Sequence, residues 1–413
     1  MIRDAAYYKE WSTLNDLLKL QGFTWGYLEE KGIDYQYYLL DLYRMHVSEY
    51  ERIVRATTRI ADVLNRTVAF LQSSPGLYRD LHLPQNTWQA VQIPSQLFSY
   101  FAHLDLIVAG DDIRVIELNC DTPTGVVESA VCNEAVCRYF KVASPNRMED
   151  AIRLAFAELR KAYAIPETDT VYFSSYGWHE EDRMTTKFVR RNSGLRETQY
   201  VPLSDIRVSS EGVFTARGEP IRWLYRLYPL EYFSRDKGEN GLAIGDIFLE
   251  HVASGKVRLI NPPSAALCQA KGTLAVIWAL HEANHPIYTE EQHQTIETYF
   301  LPTYVSAEAL TGKKYVRKPV WGREGGGVSI VDEQGRMTAS DNTPYYATQP
   351  MVYQKYTPMP QVTVKTWEGS YTGSMLVGSF LIGGVPSGLF LRVGSPITGN
   401  LSMFLPITVE SGR

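Results

Sequence analysis

The chain has 413 residues with 41 Lys and Arg against 46 Asp and Glu, a net charge of −5 that argues against an electrostatic nucleic-acid binder. Hydrophobic residues make up 45% and charged residues 21%, a balance that excludes a disordered chain or a collagen-like fibre and predicts a globular fold. No apolar stretch approaches the roughly 18 residues of a membrane span. The opening MIRDAAYYKE lacks the apolar run of a secretory leader, so the expected location is cytoplasmic. Cys120, Cys132, Cys137 and Cys268 form no C-x-x-C pair, which favours reduced thiols over a disulfide framework.

From Ser48 to Leu71 the apolar residues Ile53, Ala56, Ile60, Leu64, Val68 and Leu71 step by three or four, the spacing of one buried helix stripe. Residues 1–95 are therefore expected to form a mainly helical N-terminal region. FSYFAHLDLIVAGDDIRVIELN then reads as two strands joined at Gly-Asp-Asp. Helices are expected at Val126–Phe140 and Glu149–Tyr163, and a strand leading into a loop at VYFSSYGW, 171–178. From Tyr315 the texture turns to strands, with Gly383 and Gly384 as a hairpin turn. These elements predict an α/β or α+β fold in three parts, 1–95, 96–265 and a β-rich 266–413.

Four segments carry chemistry. In RKPVWGREGGGVSI, Lys318 precedes a loop holding Gly322, Gly325, Gly326 and Gly327, so backbone N–H groups and an ammonium can converge on a phosphate. The same pattern also fits a plain glycine-rich hairpin. In IELNCDTPTG, Glu117 and Asn119 share a strand face and Asp105 is expected on the neighbouring strand, with Leu118 and Ile116 marking the core side. Three oxygen ligands there suit Mg²⁺, while a solvent-facing polar row is the plainer reading. The run Glu180, Glu181, Asp182 fits either an amine-binding cluster or an ordinary helix start. Finally HEANH matches the H-E-x-x-H zinc pattern, with His281 and His285 as ligands and Glu282 as base, which keeps a metalloprotease open; Pro286, however, disfavours helical geometry at His285.

Together, IELNCDTPTGVVESA, LYPLEYF, YVRKPVWGREGGGVSI, VYQKY and GLFLRVG resemble, in that order, the motifs of the glutathionylspermidine synthase family of ATP-grasp carboxylate–amine ligases. The resemblance runs from about residue 11 onward and covers the synthetase part; the Cys/His amidase domain that some members carry in front is not expected here. It implies an ATP-grasp fold with ATP and Mg²⁺, a glycine-rich lid, and amide formation through an acyl phosphate. Asp105, Glu117 and Asn119 match the magnesium ligands, and Lys271 and Lys318 the two ATP-phosphate lysines, with the loop Gly325, Gly326 and Gly327 beside them. Gln354 looks like the residue at the adenine pocket and Arg392 like the arginine that meets the transferred phosphate. Thr122 and Thr124 fall where the acid substrate is held, and Glu180 and Glu181 where a polyamine is received. The sequence departs from the family at His103, where an arginine neutralises the acyl phosphate, and at Ile407, where a histidine is usual. Small-molecule or short-peptide acid and amine partners are implied, with no nucleic acid or membrane partner; a degenerate nucleotide binder without ligase activity is the other reading left open by His103.

Overall fold

The computed structural model describes residues 2–239, 241–341 and 343–411. The helix Val47–Gln72 follows from its stripe: Ile53, Ala56, Ile60, Leu64, Val68 and Leu71 are all buried. Each fully buried Ile or Leu contributes about 1.5–3 kcal/mol relative to exposure. The His46 ring caps the helix by accepting from the Ser48 N–H. Its buried face meets the strands Gly369–Ile382 and Val385–Gly394, where Thr57 and Ser379 share a 2.7 Å hydroxyl hydrogen bond.

Those strands belong to a six-stranded antiparallel sheet ordered Met403–Leu405, Val385–Gly394, Gly369–Ile382, Phe101–Ala109, Asp112–Asn119, with Gln361–Thr366 also paired to Gly369–Ile382. The predicted hairpin is present and lies at one end of this sheet. Because the sheet joins the hairpin to the C-terminal strands, the boundary near 265 does not separate sheets. A second antiparallel sheet runs Thr303–Tyr304, Met351–Lys355, Tyr315–Pro319, Ser329–Val331, Met337–Ser340. A third, parallel sheet is ordered Arg258–Ile260, Trp223–Arg226, Val171–Ser174, Thr198–Tyr200. The molecule is thus a mixed helix-and-sheet fold.

The first 95 residues hold the helices Ala5–Leu20 and Val47–Gln72, together with a hairpin, Tyr27–Glu30 with Ile33–Gln36, and the strand Tyr43–His46 paired in parallel with Ile407–Glu410. The hairpin turns at Lys31 and Gly32, both at positive φ (54° and 76°), the geometry a two-residue primed turn requires. One expectation changes, at Ile116. The register passes from Asp105↔Glu117 to Leu106↔Val115, so Ile116 is an unpaired extra residue, a bulge that turns its side chain out of the core. Leu118 stays buried on the core side, whereas Ile116 is only half-buried.

The helix at Val126–Phe140 forms with a π-helical widening at Glu128–Cys132 before Asn133–Tyr139. Among the described residues no helix is long and apolar enough to cross a membrane. All four cysteines are buried and free.

Candidate active site

The three sheets meet around a cavity of about 610 Å³, a size typical of small-molecule sites. The bulged hairpin and Val385–Gly394 supply His103, Asp105, Ile116, Glu117, Asn119 and Arg392, and the second antiparallel sheet supplies Val316, Lys318 and Gln354. The carboxyl ends of the parallel strands Val171–Ser174 and Trp223–Arg226 lead directly into its third wall, at Tyr176–Asp182 and Leu227–Tyr232. Ligands of open parallel sheets bind at such ends.

Cross-strand pairing explains the polar floor. His103 lies opposite Asn119 and Asp105 opposite Glu117, so four side chains project from one face. Arg392 donates to Asp105 Oδ1 at 2.7 Å, and Asn119 Nδ2 donates to Asp105 Oδ2 at 3.2 Å, which leaves the Asn119 Oδ1 free. Lys271 sits 3.0 Å from Glu117 Oε1 and also donates to the Gly322 carbonyl of the glycine loop. Burial pushes the Glu117 carboxyl up, but the ammonium groups of Lys271 and Lys318 outweigh it and hold the group below its usual range. Lys318 donates to the Ile116 carbonyl at 2.9 Å and to Gln354 Oε1 at 2.8 Å; burial pulls its pKa down to about 8. Burial likewise lowers His103, only partly offset by Asp105, so its imidazole is neutral near pH 7. Its Nε2 lies 3.0 Å from Asn119 Nδ2.

The substrate side is built on a buried ion pair. Asp121 receives both arms of Arg226, at 2.5 and 3.0 Å, and the Leu230 N–H at 2.9 Å, with neither partner exposed. This ties the Thr122–Thr124 loop to LYPLEYF. Gln269 Oε1 and Asn261 Nδ2 hold the same segment, the first by accepting the Cys120 and Asp121 N–H groups, the second by donating to the Cys120 and Asp121 carbonyls. From the glycine loop, Arg323 bridges to Glu231 at 2.7 Å, lies over the Tyr232 ring at 5.5 Å, and brings NH1 within 3.5 Å of Thr122 Oγ1.

Of the residues expected from sequence, Asp105, Glu117, Asn119, His103, Lys318, Gln354, Arg392, Thr122, Thr124 and Gly325 line one cavity, with Lys271 against Glu117 behind it. Gly325 is at φ 72°, and a Cβ there would lie 2.6 Å from the Thr398 carbonyl, so the loop's course requires glycine at that position. Gly326 and Gly327 instead pack against the Tyr346 ring and are not part of the wall. Glu180 is exposed, 3.6 Å from Arg183, and turned away from the cavity. Its neighbours face inward: Asp182 lines the wall, and Glu181 is half-buried. Burial, then Glu128 and Asp182, push the Glu181 carboxyl well above its usual range.

The zinc arrangement does not form. The helix Gly272–Glu282 ends before His285, whose ring packs edge-on to Phe70, while His281 meets His293 and Glu297, each at 3.0 Å. Glu282 accepts from Trp278 and Tyr304. Among the described residues no group of three His, Cys, Asp or Glu side chains could hold a metal.

Sequence reasoning missed Arg323, Glu231, Glu128 and Glu324. All four lie inside motifs already singled out, Arg323 and Glu324 in GREGGG, Glu231 in LYPLEYF and Glu128 in IELNCDTPTGVVESA, but only the fold brings them together.

A cavity that joins paired oxygen donors and two buried lysines to a glycine loop belongs to an enzyme of the carboxylate–amine ligase class. The chain belongs to the glutathionylspermidine synthase preATP-grasp family, whose profile matches residues 7–410. It is 24% identical over 381 residues to a Haemophilus influenzae protein whose provisional name is acid–amine ligase, covering 88% of each chain. In three dimensions it is similar to a glutathione synthetase-like effector of Globodera pallida, with a TM-score of 0.60 over 99% of this chain and 98% of that one, at 8% identity. That likeness is one of fold.

Proposed function

We propose that this protein is an ATP-grasp ligase that joins a peptide-like carboxylic acid to an amine, a polyamine being the best fit, through an acyl phosphate. The observation that carries the reading is the polar floor itself, where Lys271, Lys318 and Arg392 surround Asp105, Glu117 and Asn119 at the end of an apolar slot formed by Ile116, Val316, Leu301 and Met359. On this reading the purine packs on these apolar side chains and the triphosphate meets the lysines. The donor set suits magnesium: two carboxylates and one amide oxygen, all hard, whose charge is offset here by Lys271 and Arg392. Asp105, Glu117 and Asn119 would hold Mg²⁺, which when bound supplies further neutralisation of phosphate charge.

The chain's own groups do the rest. Arg392, Lys271 and Lys318 offset the negative charge that builds as the γ-phosphoryl group passes to the acid's carboxylate. Closure of loop 321–328 keeps water from the acyl phosphate. Thr122 and Thr124 border the place where the acid is held. An amine arrives as an ammonium ion and must lose a proton before attack. Because His103 is a neutral imidazole, the acid site lacks one permanent cation, and the acid need not be glutathione. The test is a pooled acid and amine library with ATP, read by mass spectrometry for an amide product formed together with ADP. ADP without any amide, or nucleotide binding without turnover, overturns the ligase reading in favour of a non-ligating nucleotide binder.

Lys318 gives this reading a pH signature. Its ammonium form, which the phosphates need, is lost as pH rises through about 8, so ATP affinity falls above that value and binding there takes up a proton. Calorimetric titrations of ATP across that range should show the decline, and Lys318→Arg, which stays charged, should flatten it. An equal slope in the variant removes Lys318 from the role.

A further inference from the structure

We propose that Glu324, carried by the glycine loop, is a recognition residue for the cationic acceptor, so that acceptor binding and loop closure are one event. The inference rests on the ligase reading above and adds to it a residue on the moving element. Glu324 lines the cavity, is exposed, and has no hydrogen bond or ion pair among the described residues. Its backbone sits at φ 55°, an uncommon conformation for a side-chain-bearing residue; beside it Arg323 pairs with Glu231 and lies over Tyr232, and Gly325 leaves no room for a Cβ next to Thr398. The carboxylate is thereby held over the cavity.

Asp182 lines the same cavity, with Glu181 next to it in the chain. Glu181 also has no ion pair among the described residues, and Glu324 is one of the charges it feels. Glu128, in electrostatic contact with Glu181, is wholly buried; its Oε1 accepts from Trp25 and Tyr37, while its Oε2 has no partner. An unsatisfied buried carboxylate oxygen behind two further carboxylates is costly without a cation. Of the nearby cations, Arg323 pairs with Glu231 and Arg183 lies beside Glu180; among the described residues His179 is the one that pairs with Asp182, at 3.3 Å. At the mouth, Trp178 is 77% exposed beside Tyr176 at 5.1 Å, offering aromatic faces to ammonium and methylene groups. An acceptor with two or more ammonium groups bridges Glu324 on the loop and the acidic wall and holds the loop shut.

The experiment uses the full chain, a non-hydrolysable ATP analogue and spermidine as the probe. Hydrogen exchange in peptides spanning 321–328 should slow further when spermidine is added to the analogue complex, and Glu324→Gln should abolish that increment while keeping the protection given by the analogue alone. In steady state the variant's spermidine KM should rise roughly tenfold, the loss of one ammonium–carboxylate contact, with kcat within about twofold. Equal spermidine-dependent protection and equal KM in the two proteins overturn the inference and leave the ligase reading standing. Absence of ADP formation with every acid and amine pair overturns both.

Discussion

Replacing Arg392 by alanine is expected to lower kcat for ADP formation by about a thousandfold, the scale on which a single preorganised charge at a developing anion acts. The guanidinium lines the cavity and pins Asp105 Oδ1 at 2.7 Å, so its loss removes a cation from the transfer site and leaves a carboxylate that is 2% exposed without its strongest partner. Nucleotide affinity should fall much less, because Lys271 and Lys318 remain. Arg392→Lys keeps the charge but not the planar fork and should recover only part of the rate. Steady-state kinetics beside circular dichroism decide it: an alanine variant with native spectrum and a kcat within tenfold of the parent would remove Arg392 from the chemistry.

The largest effect on stability belongs to Asp121. Its carboxylate and the Arg226 guanidinium are both fully buried, so Asp121→Ala leaves an uncompensated cation in the interior, a loss of about 3–5 kcal/mol. The Leu230 N–H loses its acceptor in the same step. The charge-free pair Asp121→Leu with Arg226→Met should regain most of that stability, since buried ion pairs gain little over well-packed apolar side chains. It should not regain activity, because Thr122 would lose the anchor next to it. Urea unfolding of the three proteins tests the cycle, and a single variant as stable as the parent refutes the account.

The fold was readable where periodicity is long. Ile53 to Leu71 holds its helical step through five turns, and the Gly383–Gly384 turn separates two extended apolar runs. It was unreadable where one residue decides. Alternation assigned Ile116 to the core, and an inserted residue in the ladder sent it to the cavity, something a period-two rule has no means to register. Glu180 and Glu181 are adjacent in sequence, yet at a helix start successive side chains point about 100° apart, so one is exposed and the other half-buried. For the site, Glu117 and Asn119 were legible from strand alternation. The contact of Lys271 with Glu117 and the bridge of Arg323 to Glu231 join residues far apart in the chain; no local pattern encodes them, and only the family resemblance pointed to Lys271.

The six-stranded sheet makes this a protein that cannot mature from its front end. Asp105 is the ladder neighbour of Gly378, so the strand that presents the magnesium-type ligands finds its second partner only after most of the polypeptide has been made. At about 5–20 residues per second, a ribosome leaves that strand's edge unpaired for an interval on the order of ten seconds or more. The edge carries Ala102, Leu104, Leu106 and Val108, all buried in the finished fold and all apolar. A nascent chain stalled or cut before the last third therefore displays an unpaired, apolar edge that invites pairing with other chains. It also lacks Lys318 and Arg392, two of the cations proposed for the nucleotide site.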